Sequence, residues 1–363
     1  MKKIQRIDSA YEVLRVFLGI VIAYLLCLVV IVFVTGKEGA YDAIYNFAIG
    51  PFTSKRRFAQ VLSRMCPYML IGCGMCFVYA SGRFSVISEG IINIAPIPIL
   101  YVIFCTAFGT QVMPGLPKIV NQLIIIVSCI VVGGLVAMIP AFGREKLGAN
   151  EMVTSTILNF VCLYLALWVV RGYMADRSNS FLCTPNYPDN MRFTRYWGNT
   201  NLSEGIWVAI IGVIIACIIF YRTRLGVEIR ITGVNPSFAK YAGINTKITP
   251  FMGQVLGGIF AGVASAVEIF GAYDQYQLSM LTNIGFDGLI IAVMAKKQPA
   301  FIPLTAFVLA YIRTAAAVLN TNTNIPVELV TMLQAVIIFF VAAEEFLGKS
   351  RQKAIIKASR ESK

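Results

Sequence analysis

The groups with most chemistry to offer are carboxylates and amides set inside apolar sequence. Glu89 and Asn93 stand four apart in Ser88-Glu89-Gly90-Ile91-Ile92-Asn93, and Asp287 follows Phe286 in Gly285-Phe286-Asp287-Gly288. Glu151, Ser155 and Asn159 fall at i, i+4 and i+8, one polar stripe along an otherwise apolar helix. Glu268 shares a helical face with Gly253, Gly257, Ala261 and Ala264. An ionised carboxylate at mid-bilayer costs at least ~2.5–3.5 kcal/mol, so such groups turn toward a bundle interior. There they can meet a polar solute, carry a proton or hold a coupling ion. Two structural roles compete: an interhelical hydrogen bond for Glu89 and a helix cap for Asp287.

Other chemistries are closed off. The chain has no histidine, which removes His-based zinc sites, Ser-His and Cys-His catalysis and haem ligation. Cys73 and Cys76 have redox spacing but sit in an apolar helix with no βαβ context, where packing is the expected role. The cysteines imply no disulfide framework, and neither a metal nor a cofactor is expected. Gly348-Lys349-Ser350 resembles the end of a phosphate-binding loop, but Ala343 stands where its first glycine belongs. ATP is not bound by that device.

The elements that must position these groups are membrane helices. Of 363 residues, 58% are hydrophobic and 13% charged, against about 25% charged in ordinary globular chains. The expected fold is all-α and polytopic. With about 20 apolar residues per span, ten spans lie near 13–35, 61–81, 84–107, 119–142, 151–172, 205–221, 248–270, 284–295, 299–318 and 326–346. The stretch from Val16 to Val34 is longer than a signal-peptide core and reads as a retained first span. Ten spans put both termini on one side. If that side is the cytoplasm, 19 of the 31 basic residues fall in inner loops and tails, which assigns the +13 charge to topology and not to nucleic acid. Lys55-Arg56-Arg57 is an exception to that pattern.

One transmembrane unit spans 1–363: a tail, first span and external segment over 1–66, a core over 67–346, and a basic tail over 347–363 suited to anionic membrane lipid. The eighth span, 284–295, covers only ~18 Å of a ~30 Å core and reads as a half or broken helix. Pro96 and Pro98 interrupt the third. Backbone of this kind survives at membrane depth only when buried in protein or lining a wet cavity. Both segments carry an acid followed by glycine and enter from opposite sides, as two inverted half-repeats would; chance similarity of two dipeptides explains this equally well. The loop Tyr173–Glu204 reads either as a docking surface or as a solvated connector. Gly253/Gly257 and Gly258/Gly262 are G-x-x-x-G pairs for close helix packing.

A basic island, 222–247, lies between two apolar blocks. Asn235 is a good N-cap, Pro236 suits the first helical position and Gly243 can close the helix left-handed. That spacing predicts a helix from Pro236 to Ala242. It is too short to stand alone in water, so its Phe238, Tyr241 and Ala242 face is expected to dock on another protein.

Three stretches carry a resemblance. Gly148-Ala149-Asn150-Glu151-Met152-Val153-Thr154-Ser155-Thr156-Ile157-Leu158-Asn159, Gly233-Val234-Asn235-Pro236 through Ile244, and Gly285-Phe286-Asp287-Gly288-Leu289-Ile290-Ile291-Ala292-Val293 are similar to the permeases of bacterial ABC importers for simple sugars and nucleosides, nucleoside-type branch. With Glu89-Gly90 the likeness runs over about 67–346. Ile91 stands where that family usually has glutamine, and Val86-Ile87-Ser88 replaces its Asn-Ile-Gly, which leaves the solute open.

The resemblance implies a cytoplasmic ATP-binding subunit, a second permease subunit and an external substrate-binding lipoprotein, at the cell membrane. It makes Asn235, Pro236, Phe238, Ala239, Tyr241, Ala242 and Gly243 the ATPase contact, and alternating access the mechanism. A neutral nucleoside or sugar needs hydrogen-bonding groups and a ring surface, for which Glu89, Asn93, Asn159, Phe286 and Asp287 stand available. An ion-coupled secondary transporter using Glu89, Glu268 or Asp287 is the alternative; a membrane-embedded enzyme has little support. Aspartate at Phe238 or Ala239 is expected to leave insertion intact while separating ATP hydrolysis from uptake.

Overall fold

The computed structural model describes residues 45–197 and 200–322. Among them seven helices are long and apolar enough to cross a membrane, with a shorter apolar helix at Ile284–Met294. The expected spans at 13–35 and 326–346 lie outside the described residues. No strand forms among the described residues beyond one isolated bridge between Arg195 and Ser203.

In chain order the helices are α1 (Lys55–Ala80), α2 (Ser88–Ile94), α3 (Ile97–Cys105), α4 (Lys118–Leu147), α5 (Glu151–Val169), α6 (Gly205–Arg222), α7 (Arg224–Val234), α8 (Pro236–Tyr241), α9 (Ile248–Gly271), α10 (Ile284–Met294) and α11 (Ile302–Asn322). Their ends follow local chemistry. Gly148 closes α4 at φ +66°, and the Asn150 side chain then caps α5 by accepting from the Met152 N–H at 3.0 Å. Thr223 does the same for α7 through the Gly226 N–H. The expected third span is two helices, α2 and α3, broken at Ala95-Pro96 where proline lacks the N–H that would continue the first.

The described residues fall into two compact units, 58–310 and a smaller one made by 45–57 with 311–322. In the smaller unit the rings of Phe52 and Tyr311 lie 5.3 Å apart, and the Tyr311 hydroxyl donates to the Ala48 carbonyl. In the larger unit α9 is the central helix, packed along α4 and against α2, α6 and α7, with α1 close to it at Gly257. Two glycine pairs on α9 make that approach close. Gly253 and Gly257 face α1, where a Cβ on Gly257 would lie 2.6 Å from Val78. Gly258 and Gly262 face α4, where a Cβ would run into the carbonyls of Gly133 and Cys129. The spacing is i, i+4 in both pairs, one residue out of phase, so each pair serves a different neighbour.

Overpacking a close helix contact costs about 1–3 kcal/mol. Gly258→Val is therefore expected to lower the melting temperature in detergent by on the order of 5 °C, read by scanning fluorimetry. Gly172→Ala, with nothing within 4 Å of the added carbon, leaves it unchanged.

Candidate functional site

The larger unit is organised around the broken helix α2 and the short α10. Glu89, on the first turn of α2, is fully buried. Its Oε1 accepts from the Asn283 N–H at 2.7 Å and the Thr282 hydroxyl at 2.9 Å, and its Oε2 accepts from the Gly285 N–H at 2.7 Å. Those amides begin α10. Asn283, at φ +62°, does not cap that helix with its own side chain, so Glu89 caps it from another helix and sits at the positive end of its dipole. The approach is tight enough that a Cβ on Gly285 would lie 2.5 Å from the Glu89 nitrogen.

The stripe on α5 holds the other side of α2. Glu151 accepts from Arg83 at 3.0 Å, the Ser155 hydroxyl accepts from the Val86 N–H at 3.2 Å, and Asn159 bonds both the Gly90 N–H, at 2.8 Å, and the Val86 carbonyl, at 3.1 Å. Gly90 is the residue that lets the helices meet, since a Cβ there would lie 2.9 Å from the Asn159 Cα. From the third side the Ser265 hydroxyl of α9 donates to the Ile92 carbonyl at 2.8 Å. Asn93 donates to the Glu89 carbonyl at 2.9 Å, and its buried Oδ1 has no partner among the described residues. Asp287 is buried on α10 and accepts from the Tyr68 hydroxyl at 2.5 Å; Phe286 beside it is half-buried. Asp287 is thus placed on a tyrosine of α1, inside α10 and past its N-cap.

The loop 173–204 is neither a solvated connector nor free. Cys183, Thr184, Tyr187, Met191 and Phe193 are buried, and main-chain bonds tie the loop to 270–276: Phe193 N–H to Phe270, Tyr187 N–H to Asp274 and Thr184 N–H to Tyr276. Arg192 and Arg195 both pair with Asp274. Tyr276 reaches inward from there and donates to the Asn93 carbonyl at 3.1 Å.

At the other end of α9, some 36 Å away at 1.5 Å per residue, stands α8. Asn235 accepts from the Phe238 N–H at 3.0 Å, Pro236 opens the helix and Gly243 turns at φ +79°. Phe238 and Tyr241 are 59% and 93% exposed, and Ala242 is exposed as well. Ala239 is 0% exposed. An aspartate there would bury a charge inside the fold, so the expectation that it leaves the protein intact is corrected: Ala239 seats the helix, and the outward face is Phe238, Tyr241 and Ala242. Beside α8 opens a polar cavity of about 690 Å³ whose walls include Arg83, Arg144, Asn150, Glu151, Thr232 and Pro236.

Residues 57–342 match the family described as branched-chain amino acid transport system / permease component. The chain belongs to that family. It is a membrane component of a transport system and not the component that hydrolyses ATP. It is 28% identical to the nucleoside ABC transporter permease protein NupB of Lactococcus lactis subsp. cremoris, over 98% of each chain. A second permease of that organism, NupC, is 25% identical over 80% of this chain and 92% of its own. The glucose ABC transporter permease protein TsgB13 of Haloferax volcanii is 24% identical over 85% of this chain and 82% of its own.

Four residues of the permease that matter here carry no sequence signal of their own. Tyr68 and Ser265 sit in apolar runs, Tyr276 in a polar loop, and Arg83 weighs in the sequence only as a topology charge. Each is recognised by its partner, and the partners are 173 to 219 residues away for Ser265, Tyr276 and Tyr68, and 62 or 68 for Arg83.

Hydrogen bonds to a charged group are each worth about 1.5–3 kcal/mol when one partner is removed. Glu89→Gln keeps the shape and turns an amide toward donors. It is expected to destabilise the solute-free permease by about 2 kcal/mol, read as a lowered melting temperature. An unchanged melting temperature would make Glu89 a carboxylate without a structural task.

Proposed function

We propose that this permease is the membrane subunit of an ATP-driven importer of nucleosides, moved by a separate ATPase that grips α8. The observation that carries the reading is the exposed Phe238–Tyr241 face on a capped two-turn helix, in a chain that matches a nucleoside permease over nearly its whole length. A short helix fixed by Asn235 and Gly243 and seated by Ala239 is a rigid handle, and its two exposed aromatic side chains suit a groove on a partner. Import of a simple sugar is the second reading, favoured by the match to the glucose permease.

In this reading the chain has ten spans with both termini in the cytoplasm, the larger unit described above being the centre of one permease domain over 1–363. The 222–247 segment is then cytoplasmic, and the laced loop 173–204 lies outside, where a substrate-binding lipoprotein delivers solute. A second permease subunit completes the path; two permeases of one organism both matching this chain support a heterologous pair. Alternating access moves α2 and α10, the two short helices joined by Glu89. Asn93, whose Oδ1 has no partner among the described residues, and the half-buried Phe286 are the groups of that pair best able to meet a solute, while Glu89, Asn159 and Asp287 hold the walls. The ion-coupled alternative has no support from the family, and in Glu89 it invokes a carboxylate already occupied by three donors.

Phe238→Asp is expected to weaken association of the assembled permease with its ATPase by at least ~30-fold, the loss of one hot-spot side chain, with membrane insertion intact. Normal co-purification and normal uptake in that variant would overturn the ATPase reading. Solute class is read separately: the assembled importer in proteoliposomes takes up labelled uridine, and unlabelled adenosine competes while glucose does not. Glucose uptake without uridine uptake would establish the sugar reading instead.

A further inference from the structure

Between the exposed helix α8 and the broken helix α2 the structure holds one ion-pair cluster that neither the family match nor the motif residues assign. Arg83 lies between two carboxylates, Glu145 on the last turn of α4 and Glu151 on the first turn of α5, and bonds both. The three side chains are 9–19% exposed, enough desolvation for the pairing to count for more than a surface bridge.

The position of Arg83 is fixed from the side of α8. The last turn of α1 ends in a Schellman motif: Gly82 is left-handed at φ +75°, its N–H donates to the Tyr79 carbonyl, and the Arg83 N–H donates to the Val78 carbonyl. Gly233, two residues before the cap of α8, packs on that turn so closely that a Cβ on it would collide with the Ala80 carbonyl and lie 2.9 Å from the Gly82 nitrogen. Backbone therefore rests on backbone, with no side chain between to absorb a displacement. Beyond Arg83 the chain is fastened to α5 at Val86 and Gly90 and enters α2, whose Glu89 caps α10.

We propose that Arg83 is a positioning residue for import. It holds the 81–87 link to α4 and α5 in one arrangement, so that displacement of α8, delivered at the Gly233–Gly82 contact, is passed to α2. The cluster is built for two states. One guanidinium serves two carboxylates on different helices, and the 690 Å³ cavity that Arg83 and Glu151 border gives it room to release one and keep the other. Without the cluster the link yields, and ATP turnover no longer moves α2. The inference rests on the proposed grip of an ATPase on α8.

The test is uptake per ATP hydrolysed by the full importer in proteoliposomes, a ratio that a general loss of stability does not change. Arg83→Gln is expected to lower it about 10-fold, within the range of coupling free energies between sites. Arg83→Lys, which keeps the charge and loses the fork, recovers part of it. Glu145→Gln, which leaves the Arg83–Glu151 pair, gives an intermediate value and carries the test if Arg83→Gln does not assemble. Unchanged ratios in the assembled variants overturn the proposal, as does a fall in uptake matched by an equal fall in hydrolysis. Phe238→Asp in parallel separates the two readings: if it loses the ATPase and Arg83→Gln keeps a normal ratio, only the cluster is misassigned, whereas if it behaves as wild type the grip on α8 fails.

Discussion

A carboxylate that is 0% exposed inside an apolar bundle must take its hydrogen bonds from protein. Glu89 takes them from the start of α10: two backbone N–H groups and the Thr282 hydroxyl converge on its oxygens. The exchange satisfies both parties. An 11-residue helix ends inside the larger unit with orphan N–H groups, and at membrane depth each such group costs several kcal/mol unless bonded. One side chain takes the Asn283 and Gly285 N–H groups and offsets part of its own desolvation penalty in doing so. The geometry has conditions. Gly285 must lack a side chain, Gly90 must let Asn159 come close, and α2 must break before Pro96 so that its first turn can face α10.

From that contact the remaining polar residues can be read as support. The α5 stripe fastens the link before α2 by its own backbone groups, Ser265 takes a carbonyl near the other end, and Tyr276 takes the next one. Few of the described polar groups around α2 are left for a solute. The glycine pairs of α9 let it be approached closely on two sides, by α1 at Gly257 and by α4 at Gly258 and Gly262.

Much of this is legible in the amino-acid sequence. Apolar run lengths place the described spans within a few residues, because bilayer thickness sets them, and the caps at Asn235 and Gly243 act where spacing puts them. The break at Pro96 is visible because proline removes a donor. What stays hidden is tertiary. The stripe Glu151, Ser155, Asn159 is plain from period, but period shows that a face is polar and not whether it meets a solute or a backbone. Glu89 is likewise conspicuous as an acid in an apolar run, whereas its three donors lie 193–196 residues away. The burial of Ala239 is tertiary in the same way: spacing names Phe238, Tyr241 and Ala242 as the outward face, and what lies under so short a helix shows only in the fold.

The distance between the two ends of α9 then sets a mechanical problem. The proposed grip on α8 acts some 36 Å from the laced loop that covers α2 on the other side, and no soluble domain among the described residues spans the gap. Rigid contact must do so. Helix packing without side chains, as at Gly233 on Ala80–Gly82, transmits displacement with little compliance because close-packed backbone has nowhere to yield. Ion pairs and side-chain hydrogen bonds, as at Arg83 and Asn159, can instead break and re-form between discrete arrangements. The permease alternates these two kinds of joint along the chain from α7 to α10: backbone contact at Gly233, ion pairs at Arg83, hydrogen bonds of the Asn159 side chain, and a carboxylate cap at Glu89. The proposed transmission from α8 to α2 needs both, because it has to be stiff within each state and yet switch between states.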